Sequence, residues 1–176
     1  MNPMHKEKIK ENSESTYEEV IKRNSETVYR LAYSLVRSRS DADDIYQEVF
    51  LRYVRKTPAF DNAEHEKAWF MRVTINCCKN FWKSPWVQRR NVLENEALEN
   101  EAACEIREED QNLIEAVKQL PEKYRAVIHL FYYEELSVEE IGEITKSKAS
   151  TVRTRLTRAR RILKNILNEK GEHFHV

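Results

Sequence analysis

The stretch SVEEIGEITKSKASTVRTRLTRARRILKNIL, from Ser137 to Leu167, contains two helical patterns separated by a short polar break. Ser137, followed three residues later by Glu140, has the signature of a capping box and predicts the start of the first helix. The break is Lys146-Ser147-Lys148. A second helix is expected from about Ala149, because apolar residues then recur alternately four and three positions apart. These apolar residues are Val152, Leu156, Ala159, Leu163 and Ile166.

The rest of this second helix is cationic, and residues 146–168 contain no acid. A short helix, a turn and a helix that is apolar on one side and basic on the other are typical of a helix-turn-helix. Its second helix lies in the major groove of DNA. Cations provide affinity for phosphates, and residues near the helix N-terminus reach base edges. The alternative is a solvated Arg-rich helix, but a merely soluble face usually mixes charge signs. The cations are Arg153, Arg155, Arg158, Arg160, Arg161 and Lys164.

The composition predicts an almost wholly helical chain. The 176 residues include only 2 Gly and 4 Pro, and long stretches have a period near that of a helix. The 30 basic and 30 acidic residues give a formal net charge of zero, but the charges are segregated. Residues 67–90 carry cations and no acid, residues 91–110 are mainly acidic, and residues 146–168 are basic again.

We therefore predict an all-α protein with two small helical domains joined by an acidic linker. The polar ends of the chain show no apolar period and are expected to be flexible. The predicted boundaries are 1–15 for the first tail, 16–90 for the first domain, 91–110 for the linker, 111–168 for the helix-turn-helix domain and 169–176 for the last tail.

Within the first domain, a helix is expected over Asp41 to Lys56. Ser40 followed by Asp43 predicts its N-terminal cap, and acids in the first turn suit the positive end of the helix dipole. Its outer face combines acids with an exposed Leu51. Two interpretations are open for this face, a solvated surface or a docking surface for another protein.

The next predicted helix, about Lys67 to Lys83, carries a polar stripe of Arg72, Asn76, Lys79 and Lys83. Cations beside aromatic rings are the usual equipment for binding single-stranded nucleic acid. The alternative is that the rings of Trp69 and Phe81 belong to a helical core. We favour the core for the two rings and nucleic acid for the stripe.

The remaining chemistry points away from an enzyme. Cys77, Cys78 and Cys104 form no CxxC pair, so neither a disulfide framework nor a zinc site is indicated, and we expect no metal and no cofactor. A redox-sensitive cysteine is an open alternative. A nucleophile at Cys77 or Cys78 is disfavoured because no histidine stands at a recognisable motif spacing. Without a signal-peptide core or a membrane-spanning run, the chain is expected to be cytoplasmic.

Three motifs, in this order, resemble the extracytoplasmic-function (ECF) sigma factors, the small two-domain initiation factors of bacterial RNA polymerase. SDADDIYQEVFLRYVRK, Ser40 to Lys56, resembles the helix that binds the polymerase clamp. EKAWFMRVTINCCKNFWK, Glu66 to Lys83, is similar to the helix that melts and holds the minus-ten element. LPEKYRAVIHLFYYEELSVEEIGEITKSKASTVRTRLTRARRIL, Leu120 to Leu163, is similar to the domain that binds the minus-thirty-five element.

The resemblance implies a specificity subunit that binds core RNA polymerase at its β′ clamp and β flap and recognises two promoter elements. It also implies that binding energy opens the duplex, and that an anti-sigma factor is a further partner. For core polymerase the implied contacts are Asp44, Gln47, Glu48, Phe50 and Leu51. For the single-stranded minus-ten element they are Asp61, Asn62, Trp69, Arg72, Asn76, Lys79, Asn80 and Lys83. For the double-stranded minus-thirty-five element they are Lys148, Ser150, Thr151, Arg153, Thr154, Arg155 and Arg158.

The turn departs from the family pattern. Lys146, Ser147 and Lys148 occupy the places where the family usually has Gly, an apolar residue and a capping Ser. A non-Gly residue at positive φ costs energy and Lys is a poor N-cap, so Ser147 and Ser150 are alternative starts for the second helix. The alternative function is an ordinary dimeric helix-turn-helix transcriptional regulator, which predicts a homodimer that binds duplex DNA without polymerase.

Overall fold

The computed structural model describes residues 3–85, Val87 and 108–169, with side chains from Tyr17 to Pro85, at Val87 and from Asn112 to Glu169. The described residues form helices and no strand, which confirms the all-α class. None of these helices is long and apolar enough to span a membrane. The helices are α1 Pro3–Val36, α2 Arg39–Lys56, α3 Ala63–Lys83, α4 Glu108–Gln119, α5 Glu122–Tyr132, α6 Val138–Thr145 and α7 Ala149–Glu169.

Several helices begin earlier than the sequence pattern predicts. α1 starts at Pro3, whereas the sequence pattern predicts the first helix from about Thr16; the boundary of 1–15 for a flexible tail stays a prediction. α4 starts at Glu108, inside the segment expected to be linker. Residues 91–107 of that linker and residues 170–176 of the last tail lie outside the described part of the chain, as do residues 86 and 88–90 of the first domain.

The start of α2 corrects a predicted cap. Ser38, and not Ser40, is the N-cap, because its backbone is extended and its Oγ accepts a hydrogen bond from the amide of Asp41 at 3.3 Å. Both positions offer a serine followed three residues later by Asp, so the spacing alone did not distinguish them. The earlier cap places Asp41 in the first turn, where the helix dipole favours its charge.

The first half of the molecule is a three-helix bundle of α1, α2 and α3. Its buried residues include Leu31 of α1, Val49 of α2 and Phe70 of α3. The ring of Tyr53, in α2, lies 5.2 Å from the ring of Phe70. It also lies 6.4 Å from the ring of Phe60, which is in the loop before α3. The loop is therefore held against the bundle by aromatic contacts of the kind that add to ordinary burial.

The second half packs α5, α6 and α7 around apolar residues that belong to the same core cluster as those of the first half. Leu130, Ile141, Val152 and Leu156 are all buried there. α4 packs against α7 from the other side. The spacing by threes and fours that predicted one buried face on α7 is thus confirmed for Val152, Leu156 and Ala159.

The two halves contact each other through buried charges. Arg125 of α5 donates hydrogen bonds to the carbonyl oxygens of Leu35, Lys118 and Leu120 at 2.8–2.9 Å. Arg37, just after α1, donates to the Lys118 carbonyl at 2.9 Å. Carbonyls in the last turn of a helix lack partners within the helix, so each half supplies an arginine to the helix end of the other.

Glu66 of α3 is the main polar anchor within the first half. Its carboxylate accepts two hydrogen bonds from Arg23, at 2.9 and 2.8 Å, and one from Asn24 at 2.6 Å. Burial tends to raise the pKa of this carboxyl, but the hydrogen bonds from Arg23 and Asn24 outweigh burial and lower the pKa below its usual range. The charged form of Glu66 therefore stabilises the packing of α3 on α1.

We predict that Glu66→Gln lowers the free energy of unfolding by about 1–3 kcal/mol at pH 7, since it leaves Arg23 without its charge partner. A lowered folded-state pKa gives stability that is present above the unfolded value of about 4.3 and is lost as pH falls through the folded value. The difference from the parent chain should thus shrink below about pH 4. Urea unfolding at a series of pH values from 7 to 3 measures the free energy of unfolding of the variant and of the parent chain. Glu64→Gln, at an exposed position, is the control. Equal stability of the two variants at pH 7 would contradict the assignment.

Candidate nucleic-acid and polymerase interface

The helix-turn-helix is built by the two helices that the sequence predicts. Ser137 and Glu140 form the expected capping box at the start of α6. α6 ends at Thr145, and its C-cap Lys146 takes the left-handed conformation with φ 53°. The amide of Ser147 donates to the Gly142 carbonyl at 2.8 Å. Lys146 therefore adopts the positive φ at which the family usually has glycine.

Gly142 is the residue that permits the tight turn. A Cβ added there would lie 2.8 Å from the backbone oxygen of Ser147, closer than such atoms approach. Position 142, on the surface of α6 under the turn, is therefore the position that requires glycine. Position 146, which has the left-handed conformation, does not. Sequence reasoning missed this role, although Gly142 is one of only 2 glycines in the chain.

α7 begins at Ala149, so the alternative starts at Ser147 and Ser150 are wrong. The Lys148 carbonyl accepts the amides of Thr151 and Val152 at 2.8 and 3.1 Å, which gives the first turn its backbone bonds. Ser147 has another role, since its hydroxyl accepts a hydrogen bond from Arg155 at 3.2 Å. Arg155 thereby ties α7 to the turn.

Most of the residues implied for the upstream element lie on the outer face of α7. Thr151 and Arg155 are half-buried. Arg153 donates to Glu139, in the first turn of α6, at 2.7 Å in an exposed ion pair. A shallow groove on this face is lined by Arg153, Thr154, Thr157, Arg158 and Arg161. Thr157 was not among the residues that the sequence predicted for this face. The exposed members of the predicted set are Lys148, Ser150, Arg153, Thr154 and Arg158.

The residues implied for the minus-ten element lie on α3 and in the loop just before it, and they differ in exposure. The exposed members on α3 are Asn76, Lys79, Asn80 and Lys83. Arg72 is half-buried and donates to the backbone oxygen of Glu143 at 3.3 Å, so the stripe is open along only part of its length.

Asp61 and Asn62 precede α3 and are exposed. Asn62 is the N-cap, accepting the amide of His65 at 2.7 Å, while the Asp61 carboxylate lies 3.3 Å from Nδ1 of His65. Trp69 is half-buried, and its ring makes edge contacts with those of Tyr53, Phe60 and Phe70. The core interpretation is thus correct for Trp69.

The outer face of α2 is partly as expected for a docking surface. Asp44 and Gln47 are exposed, and Glu48 is half-buried and paired with Arg52 at 2.6 Å. Leu51 is 48% exposed, and Val54, which the sequence analysis did not include, is 47% exposed.

Phe50 requires a correction. It is only 7% exposed and packs its ring 4.7 Å from Tyr46 and 5.3 Å from Phe70. It belongs to the core because α2 turns this position towards α3, one residue away from the exposed Leu51. A direct contact between Phe50 and a partner is therefore inconsistent with the packing.

The cysteines that the structure describes are buried thiols. Burial raises the pKa of both Cys77 and Cys78, which keeps them protonated at neutral pH and makes them poor nucleophiles. No group of three or more potential metal ligands occurs among the described residues. Cys104 lies outside the described part of the chain.

Comparison with known proteins identifies the two halves. Residues 20–87 match the family model of sigma-70 region 2, and residues 110–163 match that of sigma-70 region 4. The chain is 34% identical over 137 residues to RNA polymerase sigma factor SigV of Bacillus subtilis (strain 168), covering 77% of this chain and 81% of that protein. The chain belongs to the sigma-70 family. Its region 2 and region 4 domains support promoter recognition in transcription initiation.

Further similarities place this sigma factor in the ECF group. It is 33% identical over 165 residues to the ECF RNA polymerase sigma factor SigE of Mycolicibacterium smegmatis, covering 86% of this chain and 62% of that protein. The fold is similar to that of the sigma factor RpoE of Bartonella quintana, solved in complex with the anti-sigma factor NepR. That match has a TM-score of 0.67 at 20% identity and covers 87% of this chain and 97% of the other.

We predict that Gly142→Ala destabilises the region 4 domain by about 1–3 kcal/mol, because the added methyl group overpacks against the Ser147 carbonyl. This loss should exceed the gain of about 1 kcal/mol that alanine brings in helix propensity. Chemical unfolding followed by circular dichroism measures the effect. Glu143→Ala, an exposed neighbour on the same helix, is the control. A Gly142→Ala chain as stable as this control would show that the turn relaxes without cost.

Proposed function

We propose that this sigma factor reads the upstream promoter element with the outer face of α7. The observation that carries the proposal is the set of exposed cations Arg153, Arg158 and Arg161 on α7, within a stretch, residues 146–168, that contains no acid; the carboxylate that pairs with Arg153 is that of Glu139 on α6. Phosphate contacts position such a helix, and base contacts give it specificity. Arg153, near the helix N-terminus, is our candidate for base contact, and Arg158 is our candidate for phosphate contact.

We propose that the exposed stripe on α3 binds the single strand of the minus-ten element. Asn76, Lys79, Asn80 and Lys83 share one face of the helix and are exposed, and the two lysines of this face suit a strand whose phosphates meet cations. Asp61 and Asn62, exposed before the helix, are the candidates for contact with an unstacked base. Trp69 contributes by holding this loop to the bundle through Phe60 and not by stacking on a base.

We propose that α2 docks on the β′ clamp of core polymerase and that region 4 docks on its β flap. Leu51 and Val54 together place two large apolar side chains on a surface that also carries the acids Asp44 and Glu48 and the cation Arg55, and apolar residues surrounded by polar ones are typical of protein interfaces. The candidate contacts are Asp44, Gln47, Glu48, Leu51 and Val54. The protein would act in the cytoplasm with polymerase and be held in check by an anti-sigma factor, working through binding energy and not through catalysis.

The decisive experiment is run-off transcription with bacterial core polymerase over a promoter library. For promoters selected in this way, Arg153→Ala should reduce the free energy of discrimination between the right and the wrong base by about 1–3 kcal/mol and so relax specificity at one base pair. Arg158→Ala should weaken binding evenly across promoter sequences. It should also reduce by about 1 the slope of the logarithm of the binding constant against the logarithm of the salt concentration. Lys22→Ala, which removes an exposed cation on α1, is the control. If Arg153→Ala binds every promoter variant as the parent chain does, its assignment fails. A chain that dimerises and binds duplex tightly without polymerase would be an ordinary regulator.

Leu51→Arg is expected to weaken association with core polymerase by about tenfold or more, because it places a cation at the centre of the apolar docking surface and loses buried area. The fold should be unaffected, since Leu51 is exposed. Titration of labelled sigma factor with core polymerase measures the affinity, and circular dichroism checks the fold. Lys22→Arg serves as the matched control on a different helix. Unchanged affinity for Leu51→Arg would exclude this face of α2 from the interface.

A further inference from the structure

The end of α5 presents aromatic side chains at the surface, beside α7. Tyr132 and Tyr133 are 50% and 56% exposed, and the ring of Phe131 lies 5.0 Å from that of Tyr132 in an edge arrangement. The helix-turn-helix starts only at its cap, Ser137. These rings therefore lie outside the motif that forms the upstream-element surface.

Arg160 of α7 is held in place by two of these rings. Its Nε donates to the hydroxyl oxygen of Tyr132 at 2.9 Å. Its guanidinium carbon lies 5.7 Å from the centre of the Tyr132 ring and 5.5 Å from that of Phe131, and both distances are within the range of cation–π attraction. Among the described residues, the two terminal nitrogens of Arg160 have no hydrogen-bond acceptor.

The charge of Arg160 is not compensated by a carboxylate of the described residues. Arg153, on the same side of α7, pairs with Glu139 at 2.7 Å, whereas Arg160 contacts a neutral hydroxyl and neutral rings. A guanidinium fixed at Nε, with both terminal nitrogens free, has the fork that binds a phosphate through two parallel hydrogen bonds. Because the side chain is already restrained, less conformational entropy is lost when a phosphate binds.

Arg160 lies at one border of the exposed face of α7. It follows Arg153 by seven residues, almost two full turns, so the two arginines lie about 20° apart around the helix. Thr157 and Arg161, which line the shallow groove, lie in the middle of the face. Arg158 lies about 160° around the helix from Arg160. The face is thus bordered by Arg160 on one side and by Arg158 on the other.

The borders of such a face are the places where phosphates are expected. The major groove is about 12 Å wide, and a helix with its side chains fills it, so a phosphate strand runs along each side of the helix. Side chains in the middle of the face reach base edges, and those at the borders reach phosphates. Arg158 is the candidate phosphate contact at one border, and Arg160 is exposed at the opposite one.

We propose that Arg160 binds a phosphate of the upstream duplex and that Tyr132 is the positioning residue that orients its guanidinium. The inference rests on the proposed role of α7 in reading the upstream element, and it adds a contribution from α5, outside the helix-turn-helix. Arg158 and Arg160 then hold the two strands of the duplex from opposite borders of α7. The contact fixes the register of α7 in the groove and carries no base specificity of its own.

The test measures binding of the holoenzyme to a duplex with the upstream element of a promoter selected by run-off transcription, and with no minus-ten element. Fluorescence anisotropy is recorded over a series of salt concentrations, and circular dichroism checks the fold of each variant. Arg160→Ala should weaken binding about tenfold, since hydrogen bonds between charged groups are the stronger ones. It should also reduce by about 1 the slope of the logarithm of the binding constant against the logarithm of the salt concentration. Unchanged affinity and slope would overturn the phosphate contact.

Arg160→Lys separates geometry from charge. Lysine keeps the cation but loses the planar fork, so the salt slope should stay near that of the parent chain while binding weakens about threefold. Affinity equal to that of the parent chain would overturn the oriented fork.

Tyr132→Phe tests the positioning role, and Tyr133→Phe is the matched control because it removes the hydroxyl of the adjacent exposed tyrosine. Tyr132→Phe should weaken binding about threefold through the lost hydrogen bond, with the salt slope unchanged because no charge is removed. Tyr133→Phe should bind as the parent chain does. The double variant of Arg160→Ala and Tyr132→Phe should bind no more weakly than Arg160→Ala alone. Equal effects of the two tyrosine variants, or additive losses in the double variant, would overturn the positioning role.

The phosphate itself is located by replacing single phosphates of the duplex, one at a time, with uncharged methylphosphonate. One replacement should weaken binding of the parent chain and of Arg158→Ala but leave Arg160→Ala unaffected, since that variant has already lost the contact. If no position behaves in this way, the contact is overturned. Failure of the proposed function is distinct, because Arg153→Ala and Arg158→Ala would then also bind as the parent chain does.

Discussion

The relative position of the two halves depends on the buried guanidinium of Arg125. It is 3% exposed. Its two terminal nitrogens donate to backbone carbonyls of both halves. Among the described residues, its buried Nε has no hydrogen-bond partner, and no carboxylate is among the hydrogen-bond partners of the guanidinium. Burial and the neighbouring charge of Arg37 lower the pKa of Arg125 to about 10, which still leaves it charged at neutral pH. The partial negative charge at the ends of α1 and α4 thus provides most of its compensation.

This arrangement constrains which surfaces are left for partners. The last turns of α1 and α4 each contact an arginine of the other half and are therefore enclosed. The surfaces that remain accessible to partners are the sides of the helices. Leu51 lies on such a side of α2, Lys79 on one of α3 and Arg158 on one of α7, and all three are exposed. The same contact that encloses the ends of α1 and α4 also brings α6 over Arg72, so the position of the halves determines how much of α3 is open.

Local patterns in the sequence predicted the helices and most exposed side chains of the site. The capping box of Ser137 and Glu140 and the period of α7 are properties of neighbouring residues, which a single sequence displays directly. The errors arose where the answer depends on distant residues. Phe50 is buried because Phe70 lies opposite it, and Arg72 is half-buried because α6 packs on α3 from the far end of the chain. Ser38 and Ser40 offer the same cap signature, and only the path of the chain after α1 distinguishes them.

The turn of the helix-turn-helix shows how a departure from a family pattern can be compensated within one motif. Lys146 takes a left-handed conformation that costs a side chain about 1–2 kcal/mol, yet the turn is retained. The close approach of Ser147 to Gly142 supplies a hydrogen bond at 2.8 Å, and Arg155 binds the Ser147 hydroxyl from α7. Strain at one residue is therefore offset by contacts from both flanking helices, and α7 keeps the orientation in which its cations face outwards.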